Sequence, residues 1–156
     1  MRGDAKTIEH LNKALTNELT AINQYFLHAK MFKNWGLKEL AEYEHKESID
    51  EMKHADRLIE RILFLQGLPN LQKLDKLMIG ETPKEALACD LKLEKMAIPD
   101  LQAGIRHCES IGDFGTRGLL EAILDSEEEH IDWIETQLGL IERLGEAAYL
   151  QTKVGS

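Results

Sequence analysis

Two Glu-x-x-His pairs occur in separate parts of the chain, at Glu51 with His54 and at Glu127 with His130. Residues three positions apart lie on one face of an α-helix, so each pair can direct a carboxylate and an imidazole at the same guest. A single pair of this kind in an acidic helical protein is more often a solvated surface pair. The relation of the two pairs to the rest of the chain therefore decides their meaning.

Each pair is preceded by a glutamate that interrupts an apolar helical stripe, and the two sets repeat. Glu18, Glu51 and His54, each moved by 76 residues, become Glu94, Glu127 and His130. Within each half the two glutamates are 33 residues apart (51 − 18 and 127 − 94), with midpoints at predicted turns near Trp35 and Ile111. Residues equidistant from the turn of an antiparallel hairpin lie at equal height, which predicts one six-residue layer inside the protein.

A third match to the same local pattern, Glu42-x-x-His45, provides a contrast. It lies nine residues before the Glu51 pair, which at about 100° per residue amounts to a net half turn of helix. Moved by 76 residues it becomes Gly118 and Glu121, so it has no counterpart in the other half. We therefore expect Glu42 and His45 to face away from the six-residue layer.

Four buried carboxylates need compensating positive charge, because an unpaired buried ion costs several kcal/mol. Two divalent cations would neutralise the four glutamates, and the two imidazoles would complete the coordination. This donor set suits iron or manganese better than soft metals. Symmetry predicts that Glu51 and Glu127 bridge the two ions. The remaining ligands then divide into Glu18 with His54 and Glu94 with His130.

The elements that would position these residues are four long amphipathic helices and a short fifth, which predicts an all-α four-helix bundle of two antiparallel hairpins. The predicted helices run from Asp4 to the break at 34–36, from Leu37 to the stop at 67–69, from Pro83 to Gly112, from Asp113 to Gly145, and over residues 146–154. Thr82 and Asp113 are predicted N-caps, and Pro99 is expected to kink the third helix. Residues 68–82 are predicted to form a long crossover, with Leu71, Leu74 and Leu77 as candidate anchors.

Composition limits the remaining possibilities. With 156 residues and 43% hydrophobic content, the chain is expected to form a single domain, 1–156. Its net charge of −9 disfavours nucleic acid and anionic membranes as partners. Cys89 and Cys108 form no Cys-x-x-Cys pair and are expected to be buried, reduced thiols. Because neither a signal segment nor a spanning apolar run is evident, we expect a soluble cytoplasmic protein.

The chain from Gly3 to Leu150 resembles the bacterioferritins, most clearly in residues 21–28, 47–56 and 128–133. The resemblance implies a ferritin-like fold, a 24-subunit hollow shell and oxidation of Fe²⁺ at a di-iron centre by O₂ or H₂O₂. It also implies a ferric mineral in the cavity, haem b shared between two subunits, and a small ferredoxin as reductant for iron release. The six-residue layer matches the family's di-iron ligands.

Met52 matches the methionine that binds haem in the resembled family. It follows Glu51 and is turned about 100° from it, so we expect it to point out of the bundle. A methionine without this context would be expected to pack in the core.

Other positions depart from the family pattern or remain open. Lys46 replaces a family histidine beside Asp50, which puts an accessory iron site on the inner surface in doubt, and His45 replaces a common tyrosine. Tyr25 and Trp133 lie near the layer, where electron donation and ordinary packing are both open.

Two other functions are compatible with the same residues. One is a ferritin-like di-iron oxidase or peroxidase that does not store iron. A rubrerythrin-like form would need a Cys-x-x-Cys domain, which this sequence lacks. The other is a non-catalytic helical assembly protein in which a metal stabilises the acidic core.

Overall fold

A computed structural model of the chain describes residues 1–155 and is entirely helical outside its loops. The helices are α1 (Ala5–Asn34), α2 (Lys38–Phe64), α3 (Pro83–Ile111), α4 (Phe114–Leu144) and α5 (Glu146–Gln151). The predicted all-α fold of four long helices and a short fifth is thus confirmed. Ser156, the last residue of the predicted domain, lies outside the described residues. Between residues 1 and 155, every helix is too short or too polar to cross a bilayer.

Local chemistry explains where the long helices begin and end. Asp4, Thr82 and Asp113 each accept a hydrogen bond from the backbone N–H three residues later, as N-caps do. Pro83 stands at the first turn of α3, where its missing N–H costs nothing. Gly112 ends α3 with φ of 75°, a left-handed conformation that favours glycine. The predicted caps at Thr82 and Asp113 are therefore confirmed.

The apolar core is divided into two parts along the bundle. One cluster lies toward the beginning of α1, and its fully buried members include Leu11, Leu15, Leu58, Ile62, Leu120 and Ile123. The other lies toward the end of α1 and includes Phe32, Leu40, Leu87, Ile134 and Tyr149. Each buried side chain of this size contributes roughly 1.5–3 kcal/mol to folding. These two clusters stabilise the bundle on either side of a polar middle.

The crossover, residues 68–82, lies along α1 without forming a helix. Backbone N–H groups of Asp75, Met78 and Gly80 donate to the side chains of Thr20, Gln24 and His28, which are spaced four residues apart on α1. Gly80 is needed at its position because a Cβ there would collide with the backbone of Ala86.

The predicted leucine anchors of the crossover are wrong for two of the three residues. Leu71 and Leu74 are about half exposed, while Leu77 is partly buried. A segment without secondary structure must find other partners for its buried backbone groups, and the polar row on α1 supplies them. Hydrogen bonds therefore attach the crossover where apolar contacts were expected.

The two cysteines differ in burial, and both are free thiols. Cys108 is buried as expected, whereas Cys89 is only partly buried.

We predict that Asp113→Ala lowers the free energy of unfolding by about 1–2 kcal/mol near neutral pH. Asp113 caps α4, and its Oδ1 lies 3.0 Å from a guanidinium nitrogen of Arg61. Burial alone would raise the pKa of Asp113, but hydrogen bonds from Thr116 and the charge of Arg61 lower it below 3.8. A depressed carboxyl pKa stabilises the fold above that pH, so the loss should shrink as pH falls through this range.

Denaturant titrations of wild type and variant at neutral and acidic pH measure this effect. Asp125→Ala, on an exposed position of the same helix, is the matched control. An equal loss in both variants, or a loss independent of pH, would contradict the cap and ion-pair assignment.

Candidate metal centre

The six residues of the predicted layer lie between the two apolar clusters and come from all four long helices. Glu18 is on α1, Glu51 and His54 are on α2, Glu94 is on α3, and Glu127 and His130 are on α4. Five of them are at most 3% exposed, and only His54 is partly exposed. The structure therefore brings together the residues that the sequence pattern singled out.

The side chains form two Glu–His pairs with two glutamates between them. His54 Nδ1 lies 3.5 Å from Glu18 Oε2 and 3.7 Å from Glu51 Oε2. His130 Nδ1 lies 3.3 Å from Glu94 Oε1. Glu51 and Glu127 are hydrogen-bonded to each other. This division matches the expected one, in which each histidine shares a position with one glutamate and the other two glutamates stand centrally.

Many polar atoms of the layer are buried without a hydrogen-bond partner among residues 1–155. They include Oε2 of Glu18 and Glu51, Oε1 of Glu127, both oxygens of Glu94, Nδ1 of His54, and both ring nitrogens of His130. Unsatisfied buried groups of this kind cost free energy unless they have a role in binding. Together they form a compact set of donors directed at one another, which is the requirement for metal coordination.

The pKa values of the layer show the same shortage of positive charge. Burial raises the pKa of Glu94, and burial together with the charge of Glu51 raises that of Glu127 well above 4.5. Burial lowers the pKa of His130, but the hydrogen bond and charge of Glu94 outweigh it and raise the value to about 9. Protons thus provide part of the compensation, and entering cations would displace them.

A cavity of about 420 Å³ connects the layer with the surface between α1, α3 and the crossover. Its inner wall carries Glu18, Glu51, Glu94 and Glu127. Its outer wall includes the exposed Lys13 and Lys76 as well as the partly exposed Asp75 and Asp100. The carboxylates are therefore within reach of small ions and molecules from outside.

Aromatic rings pack against His130 from two sides. Tyr25 is fully buried and meets His130 edge-on, with ring centroids 5.1 Å apart. Tyr43 stacks on Trp133 at 3.5 Å and 9°, and its ring lies 5.7 Å from that of His130. The sequence pattern pointed to Tyr25 and Trp133 but missed Tyr43.

Glu47 is an acidic neighbour of the layer that the sequence pattern also missed. Its Oε2 lies 3.7 Å from His130 Nδ1, and it is hydrogen-bonded to Tyr43. The available signal was its position four residues before Glu51, on the same face of α2.

Comparison with known proteins identifies the relatives of this chain. The family model described as Ferritin-like domain matches residues 8–144. The bacterioferritin of Rhodobacter capsulatus is 50% identical over 145 residues, covering 93% of this chain and 90% of the relative. This chain belongs to the bacterioferritin family. The Streptomyces coelicolor bacterioferritin is 49% identical over 99% of this chain and 92% of its own length, and that of Mycobacterium tuberculosis (strain CDC 1551 / Oshkosh) is 50% identical over 96% and 94%.

Membership of the bacterioferritin family supports a role in iron storage, and several outlying residues can now be judged in that context. Glu42 and His45 are exposed, which confirms that this third Glu-x-x-His match faces away from the layer. Met52 is 51% exposed and points out of the bundle, as expected. Lys46 is exposed and Asp50 is partly buried, so the lysine offers no neutral ligand beside that aspartate.

Proposed function

We propose that this bacterioferritin-family chain stores iron by oxidising Fe²⁺ to Fe³⁺ at the six-residue layer. The observation that carries the proposal is the set of four buried carboxylates and two imidazoles with unpartnered atoms, open to the surface through one cavity. Two Fe²⁺ ions bring the positive charge that the layer lacks. With O₂ as oxidant, two Fe²⁺ and two protons give two Fe³⁺ and H₂O₂; H₂O₂ itself can also serve as oxidant.

Each ligand has a distinct role in this proposal. Glu18 and His54 hold one iron ion, and Glu94 and His130 hold the other. Glu51 and Glu127 lie between the two pairs and bind both ions. Converting Fe²⁺ to Fe³⁺ at fixed carboxylates is favoured because anionic ligands stabilise the higher charge.

The exposed side chain of Met52 fits a haem ligand at a subunit interface. Its thioether lies outside both apolar clusters, where a second copy of the chain related by a two-fold axis could place an identical thioether opposite it. We propose that two Met52 side chains hold one haem b, which supplies one-electron transfer when bound. The electron donor for iron release would then be a small ferredoxin.

We further propose that 24 copies form a hollow shell in which the ferric mineral collects. The cytoplasm is the proposed location because it keeps the free thiols of Cys89 and Cys108 reduced.

Purification, measurement of the mass in solution, and addition of Fe²⁺ in the presence of O₂ test this function. A particle of about 24 times the 17.8 kDa chain mass that oxidises iron and retains it supports storage. A small species that oxidises iron without retaining it would indicate a di-iron oxidase or peroxidase. A protein that binds metal without oxidising iron would indicate a structural metal and contradict the proposal.

A further inference from the structure

A second buried polar cluster lies one helical turn from the six-residue layer. We call it the Glu44 cluster; it consists of Gln24 and His28 on α1, Glu44 on α2 and Asp90 on α3, all with 0% exposure. Glu44 precedes Glu47 by three residues and Asp90 precedes Glu94 by four, which fixes the separation at one turn. Ligand-type atoms of His28, Glu44 and Asp90 lie within 4.8 Å of one another.

Hydrogen bonds determine the protonation of His28. The backbone N–H of Gly80 donates to His28 Nε2 at 3.1 Å, so this nitrogen carries a lone pair. The proton of a neutral imidazole is then on Nδ1, which lies 2.7 Å from Asp90 Oδ1 and donates to it. Since both ring nitrogens are engaged, His28 has no lone pair left for a metal ion.

The orientation of Gln24 leads to the same result for Asp90. Gln24 Oε1 accepts a hydrogen bond from the backbone N–H of Met78 at 2.9 Å. Its Nε2 therefore donates to Asp90 Oδ1, also at 2.9 Å. Two donors on one oxygen stabilise the charged form of a carboxyl group, so Asp90 is the ionised member of the cluster.

Glu44 must then be the neutral member. If it were ionised, both of its oxygens and Asp90 Oδ2 would lack a donor among residues 1–155. A proton on Glu44 satisfies Asp90 Oδ2 and removes the repulsion between two buried anions. Burial and the charge of Asp90 accordingly raise the pKa of Glu44 well above 4.5. A metal ion in place of the proton would find only two carboxylates as ligands.

We propose that Glu44 donates a proton to the oxygen that is reduced at the six-residue layer. The inference rests on the proposed function, in which O₂ takes two electrons from two Fe²⁺ and two protons to become H₂O₂. One proton comes from the Glu44 O–H bond, and the carboxylate left behind regains a proton from water. Positive charge gained in the layer during oxidation favours release, because it stabilises the Glu44 anion one turn away.

The cluster is surrounded by few other groups that titrate. The titratable side chains whose charges act on Glu44 or Asp90 are His28 on α1, Glu47 on α2, Cys89 on α3 and His130 on α4. Of these and Glu44 itself, only Glu44 combines full burial, a proton at neutral pH and freedom from other hydrogen-bond donors.

We predict that Glu44→Gln removes this proton without disturbing packing, because the amide can still donate to Asp90 Oδ2. The infrared difference between metal-free wild type and variant at neutral pH should contain the C=O stretch of a protonated carboxylic acid. Glu42→Gln, an exposed change on the same helix, should give no such band. Absence of the band from the Glu44 difference would overturn the assignment of the proton.

Oxidation kinetics test the role of the proton. The initial rate of Fe²⁺ oxidation by O₂ in Glu44→Gln should fall by about a hundredfold, the lower end of the range for a lost general acid. The residual rate should rise as pH falls, since solvent protons take over, while Co²⁺ binding should remain at the wild-type stoichiometry. Should Glu44→Gln fail to assemble, Asp90→Asn provides the second test, with slower oxidation expected.

The outcomes separate the two proposals. Equal oxidation rates in wild type and Glu44→Gln would overturn only the role of Glu44. Wild-type protein that binds Co²⁺ but oxidises no Fe²⁺ would overturn the proposed function and the proton donor together.

Discussion

Replacing Glu51 or Glu127 by alanine is expected to slow the rapid oxidation of Fe²⁺ by at least about a hundredfold, because each variant removes a central ligand shared by both ions. The cavity and the two Glu–His pairs remain, so weak binding of single ions should persist. Folding should not suffer. Glu127 is hydrogen-bonded to Glu51, and burial and the charge of Glu51 raise its pKa, so removing either carboxyl relieves a cost in the metal-free protein.

Stopped-flow measurement of the initial oxidation rate at two Fe²⁺ per chain checks this prediction, together with the mass in solution and the unfolding midpoint. Glu42→Ala is the matched control, since it removes a glutamate from the same helix on the exposed face. Wild-type kinetics in both Glu51→Ala and Glu127→Ala would rule out the six-residue layer as the oxidation site. A loss in Glu42→Ala as large as in Glu51→Ala would show that a general effect on α2 is responsible.

Met52→Leu is expected to eliminate bound haem while leaving assembly and Fe²⁺ oxidation unchanged. Leucine nearly conserves the volume and apolar character of methionine but lacks the thioether. If two Met52 sulfurs are the only protein ligands, the variant leaves the haem iron without axial coordination. Oxidation should persist because Met52 is half exposed and lies outside the layer.

Haem content per chain and the absorption spectrum of wild type and variant measure this effect. Met31→Leu, at a partly exposed position on α1, controls for the loss of a methionine. A normal haem spectrum at wild-type content in Met52→Leu would exclude Met52 as the ligand. Loss of haem without slower reductive iron release would exclude only a role of the haem as an electron path.

The six-residue layer could be predicted because it is recorded twice in the sequence. The 76-residue repeat and the equal spacing within each half determine which residues share a height in an antiparallel bundle. The helix boundaries followed from capping residues and glycines whose effects are local, such as Thr82 and Gly112. Neither inference required knowledge of contacts between distant parts of the chain.

The Glu44 cluster could not be found in the same way, because the other half of the chain carries apolar residues at the corresponding positions. Adding 76 to 44 and to 28 gives Leu120 and Gly104, and subtracting 76 from 90 gives Ala14. The test that identified the ligand layer therefore excluded these residues. Glu44 was recognisable only by its position seven residues before Glu51, on the same face of α2.

The attachment of the crossover was misjudged for a related reason. Sequence periodicity reports apolar faces, and the leucines at 71 and 74 were the natural candidates for contact. The structure instead satisfies the backbone of the crossover through polar side chains of α1, including Gln24 and His28. Hydrogen bonds between a helix and an irregular segment leave no periodic pattern in the sequence.

The most direct test of the central claim is the location of iron in crystals exposed to Fe²⁺. Anomalous difference maps measured on both sides of the iron absorption edge identify iron without reference to activity. We predict two peaks within each chain, one between Glu18 and His54 and one between Glu94 and His130, with Glu51 and Glu127 contacting both. Iron bound elsewhere in the chain, with the six-residue layer empty, would contradict the proposed oxidation site.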